Sequence, residues 1–519
     1  IVAGSHPDLQ FSSSSLSTSA LSIARVCRVD VKPEFSIKSS IDFKPQYYRD
    51  ICESENMGVL PPKRCCRCMT CPDCQDAALI HSQKEQDELE LLQKSIKLEN
   101  GQLVVSYPFI KSPECFPNNR DSAVAMSIKQ EARLKKKGIL DKYNEELYKY
   151  ITRGILVPIS EQEMLEYQGP VNYISHHAVE KPSPTTPFRI VTNSSLKNGV
   201  RSLNDCLPKG PNSLNSMFDI MVRFRCHPVG LVFDLTKAYN SLRTGIVEKH
   251  LRRLIWRFSE DEPWQDFGFV VVAFGDKPAG EFLELGKGLT ADAGKSIDPV
   301  ASKRIKKDSY VDDHITGGTL ADVLRMMGNR LADGSYDGTV CQIFRKGNLM
   351  VKVMVPSWEV DTTAMELLGN KVLGYYWMAT TDQMAVILSI NTSGGVRKMK
   401  PKPYITTESL DLLTASKFSK KICPSIANGF VDFLGIACPF LLRFKLLMKD
   451  IFEDKKITSW DDEIDEEAKK VWVDLIKEAV FAGYLFFPRC ARPANAIGGP
   501  YLVSFPDGSF VAFAAAVFL

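Results

Sequence analysis

Tyr310-Val311-Asp312-Asp313 is the stretch on which the reading of this chain turns. An aromatic and a β-branched residue precede two adjacent acids, and Thr316-Gly317-Gly318 follows, so the pattern predicts a tight strand-turn-strand with the acids at its tip. Alone, an Asp-Asp pair is usually a solvated turn or a helix cap. A third acid changes the reading. Gly230 to Phe233 is an apolar, strand-like run that ends at Asp234, and Tyr239 stands in the segment Asp234-Leu235-Thr236-Lys237-Ala238-Tyr239 that continues it. Nucleotidyl transfer requires divalent cations about 3.5–4 Å apart, held by carboxylates that converge from separate elements. Asp234, Asp312 and Asp313 supply that donor set.

Around this pair of motifs the chain reads as a mixture of strands and helices. Leu89, Leu92 and Ile96 recur at helical spacing, and Ala123 to Ile151 is rich in helix formers. From Pro158 onward, short apolar runs are broken by Pro, Asn and Gly. Ile246 to Phe258 reads as one amphipathic helix, with Lys249, Arg252, Arg253 and Arg257 opposite its apolar stripe, either solvated or facing nucleic acid. Strands are predicted at Phe269 to Phe274 and around Tyr310 and Val351, a helix over Glu463 to Tyr484, and two strands around Asp507. The fold class is therefore α/β (α+β) rather than a helical bundle.

Composition bounds the alternatives. With 44% hydrophobic and 24% charged residues the chain is globular, and its net charge of +3 fits a polyanion partner without demanding one. The most apolar run, Phe430 to Phe444, contains Asp432, Pro439 and Arg443, so it reads as core and no membrane partner is expected. Fourteen cysteines in 519 residues do not resemble a secreted disulfide framework, so a reducing compartment is expected and the Asn193 and Asn391 glycosylation matches carry no weight. Cys65, Cys68, Cys71 and Cys74 form a dense ladder of candidate Zn²⁺ ligands. The two Cys pairs are close for one tetrahedral ion, so Cys66, Cys52 or His81 are alternative ligands; free thiols and an iron–sulfur cluster are the other readings. Gly294-Lys295-Ser296 ends like a phosphate-binding loop but lacks the earlier glycine at the required place, so it is expected in a helix instead.

The ordered motifs resemble those of reverse transcriptases, and most closely the Pao (BEL) family of retrotransposon polyproteins. Besides the acids, the resemblance runs through Gly169-Pro170-Val171 to His176-His177, Phe188-Arg189-Ile190-Val191-Thr192-Asn193-Ser194-Ser195, and Ser202-Leu203-Asn204-Asp205. It implies a right-hand polymerase with fingers, palm and thumb, the palm an antiparallel sheet backed by helices. Asp234, Asp312 and Asp313 would hold two Mg²⁺, with the backbone carbonyl of Leu235 completing a shell. Tyr239 would be the steric gate against a ribose 2′-hydroxyl; a core aromatic is the plainer reading. Gly275, in Phe274-Gly275-Asp276-Lys277-Pro278-Ala279-Gly280, would let backbone approach the incoming nucleotide, although Gly280 stands where related motifs end in Pro. Arg189 would face the triphosphate, and Lys352 would be the general acid for pyrophosphate or simply an exposed strand lysine. Leu373, Gly374 and Tyr375 resemble the hairpin that grips the primer end, or a core strand with a turn glycine.

The resemblance divides the chain into a linker after a missing protease (1–60), a Cys-rich module (61–85), a helical entry region (86–160), fingers and palm (161–380), a thumb or connection (381–495) and the start of a truncated ribonuclease H domain (496–519) carrying Asp507. Ile1 replaces an initiator Met and no signal-peptide pattern follows, so a longer polyprotein with protease, ribonuclease H and integrase segments is expected. The expected partners are an RNA template, a DNA primer and deoxynucleoside triphosphates, in a cytoplasmic virus-like particle or in the nucleus. Two rival readings stand beside a polymerase. One is an inactive or domesticated relic that binds nucleic acid or a partner; the other is a zinc-organised interaction protein with incidental acids, which would keep Asp234 far from Asp312.

Overall fold

The computed structural model describes residues 23–27, 82–180, 188–358, 370–388, 418–454, 456–492, 503–508 and 513–518. The cysteine ladder from Cys65 to Cys74 lies outside them. The chain is a mixed α/β protein that separates into two units, the larger holding residues 82–220 with Gly230–Pro356 and the smaller holding Met221–Val229 with the described residues from Ser357 onward. Among the described residues no helix is long and apolar enough to cross a membrane.

In the larger unit, helices α1 (Arg120–Lys136) and α2 (Leu140–Thr152) occupy the Ala123 to Ile151 segment. Tyr143 and Leu147 on α2 are fully buried against Trp256, Phe267 and Ile190. Strands β1 (Ser175–Glu180) and β2 (Phe188–Asn193) pair antiparallel, with Val179 opposite Arg189. Strand β3 (Val229–Leu235) buries Leu231, Phe233 and Leu235 at alternate positions, which sets Asp234 on the opposite face.

The segment expected as one helix from Ile246 to Phe258 is two elements. Helix α3 (Ile246–Leu251) stops, and strand β4 (Arg253–Trp256) pairs antiparallel with β5 (Gln265–Phe269). All four β4 residues are buried, a pattern that a helical stripe and a sheet covered on both faces share over so short a run. The basic residues are not a free surface for phosphate. Arg252 is fully buried and donates to Asp276 Oδ2 at 3.1 Å and Thr244 Oγ1 at 2.6 Å. Arg253 donates to the Tyr173 hydroxyl, Lys249 to Glu163 and Arg257 to Glu131.

Helix α4 (Ala279–Ala293) begins after Pro278, so Gly280 is simply a residue of its first turn and its departure from Pro disturbs no loop. Gly294 caps that helix at its C-terminal end, and Lys295 and Ser296 lie in the following turn rather than within a helix. Helix α5 (Pro299–Lys307) leads into the hairpin of β6 (Ser309–Tyr310) and β7 (Asp313–Gly318). With β8 (Val351–Pro356) these strands form a four-stranded sheet in the order β6-β7-β3-β8, with α5 packed on β6.

In the smaller unit, β9 (Asn370–Val372) and β10 (Tyr375–Met378) flank a two-residue turn at Leu373 and Gly374, both at positive φ. Strands β11 (Gln383–Ile387) and β12 (Tyr484–Pro488) complete an antiparallel sheet in the order β9-β10-β11-β12. Gly374 at φ +97° is required twice over, since a Cβ there would also meet Val431 Cγ1 at 2.5 Å. The Tyr375 hydroxyl donates to Asp432 Oδ1 and accepts from the Leu434 amide, while Asp432 caps the chain entering α6 (Cys438–Glu453) through the Ile436 and Ala437 amides. The run Phe430 to Phe444 is only partly core: Leu434, Ala437 and Phe444 are buried and Val431 is exposed. Helix α7 (Glu466–Ala482) realises the expected helix between Glu463 and Tyr484, and β13 (Val503–Gly508) pairs with β14 (Phe513–Phe518). Asp507 lies on β13 opposite Ala514.

Candidate active site

The two acidic motifs meet at one end of the β6-β7-β3-β8 sheet. Asp234 sits one residue before the end of β3, and β6 and β7 are joined by Val311 and Asp312 alone, because Tyr310 pairs with Asp313. The Leu235 amide donates to the Asp312 carbonyl at 3.1 Å, which locks the turn to the end of β3. One ligand oxygen from each of Asp234, Asp312 and Asp313 lies within 4.8 Å of the others. The rival arrangement, with Asp234 and Asp312 far apart, is therefore not the one adopted.

Three observations show that these oxygens fit a divalent cation. Asp234 Oδ1 is buried with no hydrogen-bond partner in the protein, an arrangement that costs about 1–3 kcal/mol unless something else meets it. Loss of hydration and then the facing Asp312 charge push the Asp234 carboxyl up to about 6. Asp313, though more exposed, is pushed up to about 7 by the same loss of hydration and then by Asp312 and Asp234. Hard, oxygen-rich donor sets of this kind suit Mg²⁺ or Mn²⁺.

The turn itself is strained. Val311 is β-branched yet adopts φ +56°, a left-handed conformation costing on the order of 1–3 kcal/mol. Its neighbours hold it there. Lys287, on α4 and buried, donates to the Val311 carbonyl at 2.5 Å, to Ser309 Oγ at 3.1 Å and to Glu284 Oε1 at 2.7 Å. Glu284 in turn faces the Val311 amide; burial raises its carboxyl pKa, and Lys287 with that amide lowers it against this larger effect. On the far side His314 is buried, its ring stacked on Phe233 at 4.7 Å, with Nδ1 at 3.2 Å from the Asp312 carbonyl. Burial holds the His314 imidazole well below its usual range, so it is neutral, and with Nδ1 protonated it donates to that carbonyl. None of Lys287, Glu284 and His314 was marked by the motif reading. A lysine three residues after a glutamate on a helix looks like a surface ion pair.

The remaining candidates divide between the units. Tyr239 is half-buried, 4.5 Å from the Phe274 ring, and close enough to Asp312 and Glu284 that, after burial, their charges help push its hydroxyl up to about 12. Leu235 ends β3 beside Asp234. Arg189 on β2 and Lys352 on β8 are exposed, and both lower the Asp234 pKa against the larger raising effects. Gly275 has φ +105°, and a Cβ there would stand 2.9 Å from the Thr192 carbonyl, so its loop lies directly on β2. Asn204 donates to the Gly275 carbonyl at 2.8 Å and accepts from the Lys277 amide. Gly275→Ala is expected to cost about 1–3 kcal/mol through that positive φ and contact, read as a lowered urea midpoint; an unchanged midpoint would show that the loop yields. Leu373, Gly374 and Tyr375 belong to the smaller unit and form the hairpin described above.

A mixed α/β chain with a three-carboxylate cluster at the tip of a strained hairpin is the class of protein that fold and site define. Residues 419–519 match the family described as Pao retrotransposon-like RNaseH-like domain. No curated protein matches it. Among solved structures it is similar to the foamy viral protease-reverse transcriptase in complex with double-stranded DNA, at 14% identity and a TM-score of 0.37. The match covers 64% of this chain and 46% of that one, so the chain spans less than half of that relative's length.

Proposed function

We propose that the chain is an RNA-directed DNA polymerase, adding deoxynucleotides to the 3′-hydroxyl of a primer. The observation that carries this reading is the convergence of Asp234, Asp312 and Asp313 within 4.8 Å, with Asp234 Oδ1 left unpartnered. The larger unit would supply fingers and palm and the smaller unit a thumb or connection, with the β6-β7-β3-β8 sheet as the palm floor.

Asp234, Asp312 and Asp313 would hold two Mg²⁺, with the backbone carbonyl of Leu235 completing a shell. Bound there, the ions lower the pKa of the attacking hydroxyl and offset charge on the triphosphate. The protein's own groups do the rest. Arg189 offers a guanidinium to phosphate oxygens, and Lys352 a proton to departing pyrophosphate. Tyr239, whose ring lies 4.5 Å from that of Phe274, would be the gate that collides with a ribose 2′-hydroxyl. The Leu373-Gly374-Tyr375 hairpin would hold the primer end. An RNA template, a DNA primer and deoxynucleoside triphosphates are the partners this reading requires.

The test is extension of a DNA primer on an RNA template by the full chain in Mg²⁺. Template-length products with deoxynucleotides, with ribonucleotides accepted only after Tyr239→Val, are expected. A folded chain that binds the duplex but extends nothing would reject the polymerase in favour of a nucleic-acid-binding relic.

A further inference from the structure

Val311 is held by its two flanking peptide groups. The Lys287 ammonium donates to the Val311 carbonyl at 2.5 Å, and the Glu284 carboxylate, itself held by Lys287 at 2.7 Å, faces the Val311 N–H closely enough to be stabilised by it. Fixing both peptide planes fixes the two backbone dihedrals between them, and hence the direction in which the chain leaves toward Asp312. The holding group is itself held. The three donors of Lys287 match three acceptors, namely Glu284 Oε1, Ser309 Oγ and the Val311 carbonyl, and its side chain is only 2% exposed. Glu284 and Lys287 lie on one face of α4, at i and i+3, so the brace is part of a rigid helix.

Without such a brace a β-branched residue would leave φ +56° for the extended region, swinging the following carboxylate away from β3. The bonds from the Leu235 amide and His314 hold the Asp312 carbonyl, not Val311. A buried ion pair behind an acidic turn is otherwise an expensive way to fill space, since apolar side chains of similar volume serve a core at least as well.

We propose that Glu284 and Lys287 are positioning residues, a buried clamp on the peptide groups flanking Val311 that aims Asp312 and Asp313 at their metal. The inference rests on the reading of the acids as a metal site.

It is tested on the full chain with Mn²⁺ alone, counting free ion by electron paramagnetic resonance, beside primer extension. Lys287→Met is expected to weaken Mn²⁺ binding about tenfold or more, the usual effect of losing a residue that orients metal ligands. It should lower kcat by a similar factor and leave the deoxynucleotide KM within about threefold, because misplacement acts at the reacting centre. Glu284→Gln keeps the shape and can still accept from Lys287 through its amide oxygen, so it should show a smaller loss in the same direction. Variants that melt earlier yet bind Mn²⁺ like the wild type would overturn the clamp; if Lys287→Met does not fold, the same result for Glu284→Gln overturns it. Mn²⁺ binding that depends on Lys287 in a chain that extends no primer supports the clamp and rejects the polymerase. A wild-type chain that binds no Mn²⁺ overturns both.

Discussion

Asp234→Asn is expected to reduce kcat for primer extension at least about a thousand-fold, on the order of 4 kcal/mol of transition-state stabilisation. The substitution is nearly isosteric, so the loss comes from charge and donor type. Its effect on the metal-free fold should have the opposite sign. Asp234 and Asp313 titrate near 6 and 7 in the fold, above an ordinary aspartate, because the strand end removes water and gathers like charges. A carboxyl raised in the fold favours the folded state at low pH, and that contribution disappears as pH rises through the folded value. The metal-free wild type should therefore lose stability between about pH 4 and 7, and Asp234→Asn should flatten that slope and raise the midpoint at pH 8. Divalent cations reverse the balance by displacing the protons, so metal affinity should climb over the same interval. Calorimetry in buffers of different ionisation enthalpy reads the proton release. An Asp234→Asn chain that extends primers at the wild-type rate would separate these acids from the chemistry.

The second large effect belongs to the smaller unit. Arg489 is fully buried and donates through Nε and Nη2 to both Asp382 oxygens, at 2.6 and 2.7 Å. Its Nη1 reaches the Phe224 and His227 carbonyls, and Nη2 the Pro228 carbonyl at 3.1 Å. One side chain thus ties the β9-β10-β11-β12 sheet to the segment Met221–Val229. Arg489→Met leaves Asp382 with Trp377 alone and strands three backbone carbonyls at once, and breaking a pair buried on the arginine side in this way costs about 3 kcal/mol. Trp377, which donates to Asp382 Oδ1 at 3.0 Å, is a local fluorescent reporter of the urea transition. A midpoint shift worth less than about 1 kcal/mol would mean that water or a neighbour replaces the guanidinium.

The site was readable in the sequence where the chemistry is local and opaque where it is not. Asp234 ends an alternating apolar strand, and Asp312 and Asp313 follow two strand-forming residues, so both motifs announce their own geometry. The Leu373-Gly374 turn and the helix Glu466–Ala482 were readable for the same reason. From Ile246 to Phe258 the apolar spacing suited a helix, yet pairing of Arg253 with Gly268 made a strand of its second half. That pairing also buried Arg252 and Arg253 beside Asp276 and Tyr173, partners that no periodicity reveals. Lys287 and Glu284 were hidden likewise, because what distinguishes them from a surface pair is a turn 24 residues beyond Lys287. The family match begins at Ser419, inside the segment read as thumb or connection, so its ribonuclease H-like description reaches further toward the N-terminus than the Asp507 hairpin.

The most direct measurement is anomalous diffraction from crystals of the full chain grown with primer, template and Mn²⁺. The account predicts a manganese peak about 2.1 Å from oxygens of both Asp234 and Asp312, lost in Asp234→Asn. Manganese bound elsewhere, with these carboxylates left without an ion in a chain that still extends primers, would contradict it.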